Sequence, residues 1–228
     1  MSSSSDRIRV WDLPTRIFHW SLAVLVVFSF TTGKIGGGWM EWHLKSGYAI
    51  LALLIFRLAW GAVGSRTARF ASFLRGPAAA WTHARELFAS RYVTVIGHNP
   101  LGGWMVVVLI AVLLLQAATG LFADDEIATQ GPLAVMVSNA LVDRMSAIHA
   151  YNSWVIVGAV AVHVLAIVLY RWRFKVDLTS PMLYGWRSVP PDIRRPDPSK
   201  ASPALALIAL ACAAAFVYWL VAIFPKGA

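Results

Sequence analysis

Residues 149–163 read HAYNSWVIVGAVAVH, an apolar run with a histidine at each end. The two histidines are 14 residues apart, a spacing only about 40° short of four full helical turns, so His149 and His163 share one helix face. They lie about 21 Å apart along the axis, near opposite faces of a membrane core about 30 Å thick. The stretch therefore predicts a membrane-spanning helix with one ionisable side chain near each end.

The composition of the whole chain agrees with a membrane protein. Of 228 residues, 58% are apolar and 14% are charged, which excludes most water-soluble enzyme folds. The net charge of +9 would suit a nucleic-acid-binding protein if the chain were soluble, but the long uncharged runs argue against nucleic acid and for lipid as the partner. The single cysteine, Cys212, excludes a disulfide framework, a cysteine-based metal site and covalent c-type haem attachment.

Five segments are long and apolar enough to span a bilayer, and we expect the first to be retained because no cleavage site for a signal peptide follows it. The predicted fold is an all-α integral membrane protein, a four-helix transmembrane bundle with an additional C-terminal transmembrane helix. The spans lie near residues 17–33, 43–62, 101–122, 145–170 and 203–224. The predicted divisions are a core over 1–187, a cytoplasmic linker rich in proline and charge over 188–202, and the additional helix over 203–228.

The distribution of Lys and Arg predicts the orientation. With the spans alternating across the membrane, 15 basic residues fall on the side of the N-terminus and four on the other, with Arg57 inside the second span. Cytoplasmic loops carry the excess of positive charge. We therefore expect a multi-pass protein of the bacterial inner membrane, with the N-terminus in the cytoplasm and the C-terminus on the periplasmic side.

Four histidines fall inside or at the ends of the spans. On this topology His19 is level with His163 near the cytoplasmic face, and His43 is level with His149 near the periplasmic face. An ionisable residue at membrane depth indicates a functional site, although a single histidine could equally serve an interhelical hydrogen bond. Two height-matched pairs are what two stacked haem groups require, since each iron would take one imidazole from each side.

Other metals and other roles are less favoured. Zinc prefers four tetrahedral ligands, which two histidines alone do not supply. Two axial imidazoles leave no open position on the iron, which favours electron transfer over chemistry at the metal. Arg57 and Arg16 are at cytoplasmic haem height, where they could pair with haem propionates or extend to lipid headgroups. For His83 and His98 we expect solvated or helix-capping roles.

Four glycines lie at heights where a missing side chain would admit the edge of a macrocycle, although close helix packing explains each equally well. They are Gly47, Gly102, Gly103 and Gly120.

Several longer strings carry a family resemblance over roughly residues 10–187. They are WDLPTRIFHW, WHLKSGYAILALLIFRLAWGAVGSRTARF, GHNPLGGWMVVVLIAVLLLQAATGLFADDE, IHAYNSWVIVGAVAVHVLAIVLY and SPMLYGWR. In these strings the sequence resembles the bacterial cytochrome b561 and nickel–iron hydrogenase b-type cytochrome family. The resemblance implies a four-helix core with two b haems, and it assigns the ligands to the same four histidines.

The resemblance also implies electron exchange between membrane quinone and a redox partner, as an electron-transfer protein or as the membrane subunit of an oxidoreductase. The redox partner would then be a periplasmic protein such as a c-type cytochrome or a hydrogenase. An acidic cluster, Asp124, Asp125 and Glu126, would attract a basic protein such as a c-type cytochrome, although a solvated loop explains the cluster at least as well. The alternatives are a stand-alone superoxide:quinone oxidoreductase and, from another class, a non-redox metal transporter or membrane anchor. The position of the quinone site stays open between Lys45 with Tyr48 and Arg57 with Trp60.

Overall fold

The computed structural model describes residues 6–89, 95–189 and 202–227. In chain order its elements are β1 (Asp6–Arg9), α1 (Leu13–Ile35), a 3-10 turn (Gly37–Trp39), α2 (Met40–Val63), α3 (Phe70–Phe73), α4 (Pro77–Phe88), α5 (Pro100–Gly120), a 3-10 turn (Ala134–Met136), α6 (Asn139–Arg173), α7 (Thr179–Tyr184), β2 (Trp186–Val189), α8 (Pro203–Tyr218), a π-helical turn (Trp219–Ile223) and α9 (Phe224–Gly227).

Five of these helical stretches are long and apolar enough to cross a membrane: α1, α2, α5, α6, and α8 continued through α9. The shortest of the uninterrupted ones, α5, has 21 residues, and at 1.5 Å per residue it spans about 30 Å. The prediction of an all-α integral membrane protein with a fifth C-terminal helix is confirmed.

Three spanning helices begin with the same local device, a polar N-cap followed by proline in the first turn. Asp12 accepts a hydrogen bond from the Thr15 amide at 2.7 Å, and Asn99 accepts one from the Gly102 amide at 2.7 Å. Ser202 does the same before Pro203 at the start of α8. These caps satisfy backbone donors that the helix itself leaves unpaired, so the sequence fixes where each helix starts.

Two features differ from the sequence prediction. α6 begins at Asn139 rather than near 145 and has 35 residues, about 52 Å, because its polar first turns continue the helix beyond the apolar part. In addition, β1 and β2 pair antiparallel, with Ile8 opposite Arg187, and so join the chain before α1 to the chain after α6. The spacing of apolar residues could not reveal this sheet, since each strand has only four residues.

A four-helix core consists of α1, α2, α5 and α6. α1 packs against α2, α5 packs against α6, and α2 contacts α5. Buried side chains from three of these helices meet at one cluster, in which Leu54 is fully buried between Ile50, Leu113 and Ile156. We call the end of the bundle where α1 begins the amino-terminal face and the other end the opposite face.

The fifth spanning helix, α8, packs on the outside of α2. Ala206 and Ala213 lie against Phe56 and Trp60, and Val217 contacts the next turns of the core. Small side chains allow this close approach of two helices. Most of the predicted linker, residues 190–201, lies outside the described residues.

Candidate haem-binding sites

The structure brings the four histidines together in two pairs. At the amino-terminal face the ring centroids of His19 on α1 and His163 on α6 are 6.4 Å apart. At the opposite face the ring centroids of His43 on α2 and His149 on α6 are 5.9 Å apart. These are the two pairs that the depth argument matched, and α6 contributes one histidine to each.

Both separations fit a metal ion held between two imidazoles. An imidazole nitrogen binds a metal at about 2 Å, so two such bonds in line plus the half-widths of the rings give a centroid separation of roughly 6 Å. Among the described residues there is no cluster of three or more His, Cys, Asp or Glu side chains that could hold a metal. The donor set at each position is therefore a pair of imidazoles.

The rings at the opposite face are fixed by hydrogen bonds to neighbouring helices. Nδ1 of His43 donates to the Ser29 carbonyl oxygen at 2.8 Å, and Nδ1 of His149 donates to the Gln116 carbonyl oxygen at 3.0 Å. A proton on Nδ1 leaves the lone pair on Nε2, which is the tautomer that a metal ligand needs. Sequence reasoning missed both partners, because any residue type can supply a backbone carbonyl.

A cavity of about 310 Å³ lies at this pair, and we call it the His43–His149 cavity. Its walls are mainly apolar, and Gly47 borders it with open space where a side chain would be. Gly120 instead lies against the His149 ring, on the side of Cε1 and Nδ1. Gly103, at the amino-terminal face, packs against the backbone of Phe73, so close helix packing explains it.

The amino-terminal pair has a different environment, rich in buried donors without partners. Arg57 is 3% exposed, its guanidinium lies 4.6 Å from the centre of the Phe70 ring, and its Nη1 has no hydrogen-bond partner among the described residues. The same holds for Nδ1 of His19, Nδ1 of His98 and Nε of Arg16. A buried donor without an acceptor is costly, so this end of the bundle is suited to an anionic group such as a carboxylate.

A nearby protein carboxylate, that of Asp12, does not meet this need. Asp12 accepts from the Thr15 amide, from Nε1 of Trp60 at 3.2 Å and from the Ser65 hydroxyl. It lies close enough to influence Arg57 electrostatically, but it makes no ion pair with it. Trp60, considered above as a quinone contact, is fully buried and its indole nitrogen is already used.

The expectation of solvated or capping roles for His83 and His98 is wrong. The His98 ring packs against Trp11 and Phe73, with centroid distances of 4.7 and 4.5 Å, and burial lowers the pKa of His98 to about 3, with a further contribution from the charge of Arg57. His83 is buried, with Nε2 3.3 Å from the Tyr170 hydroxyl. The residues that contact both rings are distant in sequence, so no local signal reveals these contacts.

The acidic cluster mainly holds its own loop together. Asp125 accepts hydrogen bonds from the amides of Ile127, Ala128 and Thr129 at 2.8–3.0 Å, and these bonds lower the pKa of Asp125 to about 2. Asp124 accepts from the Glu126 amide and from the side chain of Gln130. Asp124 and Asp125 also border the His43–His149 cavity.

On the other side of that cavity Lys45 forms an exposed ion pair with Glu41 at 2.6 Å, while Tyr48 borders the cavity itself. Of the two side chains considered together for the quinone site, only the tyrosine borders the cavity.

Comparison with known proteins agrees with this geometry. The family described as prokaryotic cytochrome b561 matches residues 10–185, which include all four paired histidines and the four-helix core. No curated protein matches the chain in the corresponding comparison. Proteins of this family are membrane b-type cytochromes that bind haem b and transfer electrons. With the match covering more than three quarters of its residues, the chain belongs to the prokaryotic cytochrome b561 family.

Proposed function

We propose that the protein is a di-haem b-type cytochrome that carries electrons across the bacterial inner membrane, between the quinone pool and a periplasmic redox partner. His19 and His163 hold one haem b, and His43 and His149 hold the other. The observation that carries the proposal is the centroid separation of 6.4 and 5.9 Å in the two pairs, which is the room that an iron held between two imidazoles would need.

The protein's own groups orient the ligands and exclude competing chemistry. The carbonyl oxygens of Ser29 and Gln116 hold the Nδ1 protons of His43 and His149, and so direct each Nε2 lone pair towards the site. When bound, haem supplies a one-electron iron couple. With both histidines of a pair holding the iron, each site would leave no position for substrate at the metal, so electrons would pass without bond making there.

Arg57 is the proposed partner of a haem propionate at the amino-terminal face. Its buried Nη1 lacks an acceptor, and a charge-assisted hydrogen bond to a carboxylate would satisfy it. Extension to lipid headgroups, the alternative from the sequence, does not suit a side chain that is buried under Phe70.

The orientation follows from the distribution of basic residues, which favours a cytoplasmic amino-terminal face. The His43–His149 site then lies on the periplasmic side, where a c-type cytochrome or a hydrogenase would exchange electrons with it. The negative charge of the loop around Asp125 supports a basic partner through electrostatic steering. Electron transfer with such a partner should become slower as ionic strength rises.

The test is the haem content of purified protein, measured as pyridine haemochrome, for the wild type and four single His→Ala variants. We expect two haems per chain in the wild type and one in each variant. His19→Ala and His163→Ala should remove the same spectral component, and His43→Ala and His149→Ala should remove the other.

The matched control is His83→Ala, which changes a buried histidine outside the pairs. It should keep two haems. A haem lost from this control together with two haems retained in one of the four ligand variants would contradict the assignment.

A further inference from the structure

The two histidine pairs differ in the angle between their ring planes. In the His43–His149 pair the planes are 89° apart, which is perpendicular, whereas in the His19–His163 pair they are 53° apart. Ligand-ring orientation matters at a haem because each imidazole plane interacts preferentially with one of two iron d orbitals. Perpendicular rings act on both orbitals equally and leave them nearly degenerate, while rings closer to parallel split them.

Something must hold each ring in its plane, since a histidine side chain otherwise turns about its Cβ–Cγ bond. One constraint at the opposite face is the hydrogen bond from each Nδ1 to a helix carbonyl, described above. The other constraint is a glycine packed against each ring, on the side of Nδ1 and Cε1. A Cβ on Gly33 would lie 2.7 Å from Nδ1 of His43, and a Cβ on Gly120 would lie 2.8 Å from Cε1 of His149.

Both distances are shorter than the closest approach that a Cβ atom makes to another heavy atom in proteins, so any residue larger than glycine must displace the ring. Neither glycine requires its special backbone freedom, because neither has a positive φ. Each lies near the end of a helix, α1 for Gly33 and α5 for Gly120. Alanine would favour the helix at these positions by up to about 1 kcal/mol. A purely structural role therefore does not explain glycine here, but contact with the imidazole does.

We propose that Gly33 and Gly120 are positioning residues that keep the imidazole planes of His43 and His149 perpendicular. This gives the haem at that site an electronic structure different from that of the haem between His19 and His163. The proposal rests on the proposed function, in that His43 and His149 must be haem ligands. It adds two residues that touch neither iron nor substrate and that act through the ligand rings.

Low-temperature electron paramagnetic resonance of the oxidised protein reports the splitting of these d orbitals, and so the angle between the rings. We expect two low-spin signals in the wild type, one of them highly anisotropic with a large maximum g value. In His19→Ala only the highly anisotropic signal should remain, which assigns it to the His43–His149 site.

The test variants are Gly33→Ala and Gly120→Ala. Each should keep two haems per chain but move the highly anisotropic signal to a lower maximum g value, leaving the second signal in place. The matched control is Gly158→Ala, on the helix of His149 and outside the lining of the His43–His149 cavity. A Cβ at this position meets no atom within 4 Å, so both signals should stay unmoved.

Two haems with unmoved signals in both test variants would overturn the proposal. If a test variant loses the haem, His43→Gly supplied with free imidazole decides instead, because the free ligand is released from the constraint of Ser29 and Gly33. A shifted signal then supports the proposal and an unshifted one overturns it. A failure of the proposed function gives a different result. If His43 were not a haem ligand, the highly anisotropic signal would persist in His43→Ala without added imidazole.

Discussion

The amide side chain of Asn152 connects α6 to α5 next to the His43–His149 site, and its removal should weaken the helix pair measurably. Asn152 is 5% exposed, and its Nδ2 donates to the Val112 carbonyl oxygen at 2.9 Å and to Oε1 of Gln116 at 2.8 Å. Leucine has a similar size and cannot donate. Asn152→Leu therefore removes both hydrogen bonds and leaves Oε1 of Gln116 without this donor.

The expected loss follows from the two bonds. Interhelical hydrogen bonds in membrane proteins contribute about 0.6 kcal/mol on average and at most about 1.7 kcal/mol. Two of them predict a loss of about 1–3 kcal/mol in the free energy of unfolding. At about 1.4 kcal/mol per tenfold, the ratio of folded to unfolded protein should fall by about 5- to 150-fold.

Reversible unfolding in mixed micelles of mild detergent and dodecyl sulfate, followed by circular dichroism, measures this free energy. The matched control is Ser153→Ala, since the hydroxyl of Ser153 donates to the Ala150 carbonyl oxygen of its own helix at 2.7 Å. We expect two haems to remain in both variants. A free energy for Asn152→Leu equal to that of Ser153→Ala would refute the reasoning.

Three further predictions concern the cap of α1, the packing of α8 and the acidic loop. Asp12→Ala should lower the thermal midpoint of unfolding for two reasons: the lost N-cap costs about 1 kcal/mol, and leaving the buried indole N–H of Trp60 without its acceptor costs about 1–3 kcal/mol. Asp12→Asn keeps a side-chain oxygen as acceptor and should lower the midpoint less. Ala213→Leu should lower the free energy of unfolding by about 1–3 kcal/mol, because Ala213 is 2% exposed and a larger side chain overpacks the contact between helices. Ala214→Leu, at an exposed position, should leave it unchanged, and thermal unfolding compares the two variants. In the folded loop the pKa of Asp125 is lowered from 3.8 to about 2, so the unfolded chain binds the proton first as pH falls. The carboxylate should therefore stabilise its loop above about pH 4 and lose that effect as pH falls towards 2. The protection of the loop amides, which is their exchange rate relative to the intrinsic rate at the same pH, should therefore fall at acid pH in the wild type, and in Asp125→Ala it should already be low at neutral pH.

The pairing of the histidines has a consequence for how the protein can work. Since His149 and His163 lie on one helix about 21 Å apart, a single rigid element sets the spacing of the two proposed haems. The remaining ligands come from α1 and α2, which pack against each other. Movement of α6 relative to this pair of helices would disturb both sites together.

Much of the site could be predicted from local pattern. Helical periodicity puts His149 and His163 on one face, and hydropathy sets the depth of His19 and His43. These quantities depend only on residues within one helix, so the sequence determines them without knowledge of the fold. The same is true of the five spans.

Other features depend on which helices become neighbours. Three features arise between elements distant in the chain: the carbonyl oxygens that hold His43 and His149, the glycines packed against their rings, and the packing of His98 on Trp11. A backbone carbonyl is the same in every residue and a glycine has no side chain to signal its role. The sequence thus determined the identity, depth and facing of the four histidines, while only tertiary packing decided the plane of each ring, because that plane is set by atoms on a different helix.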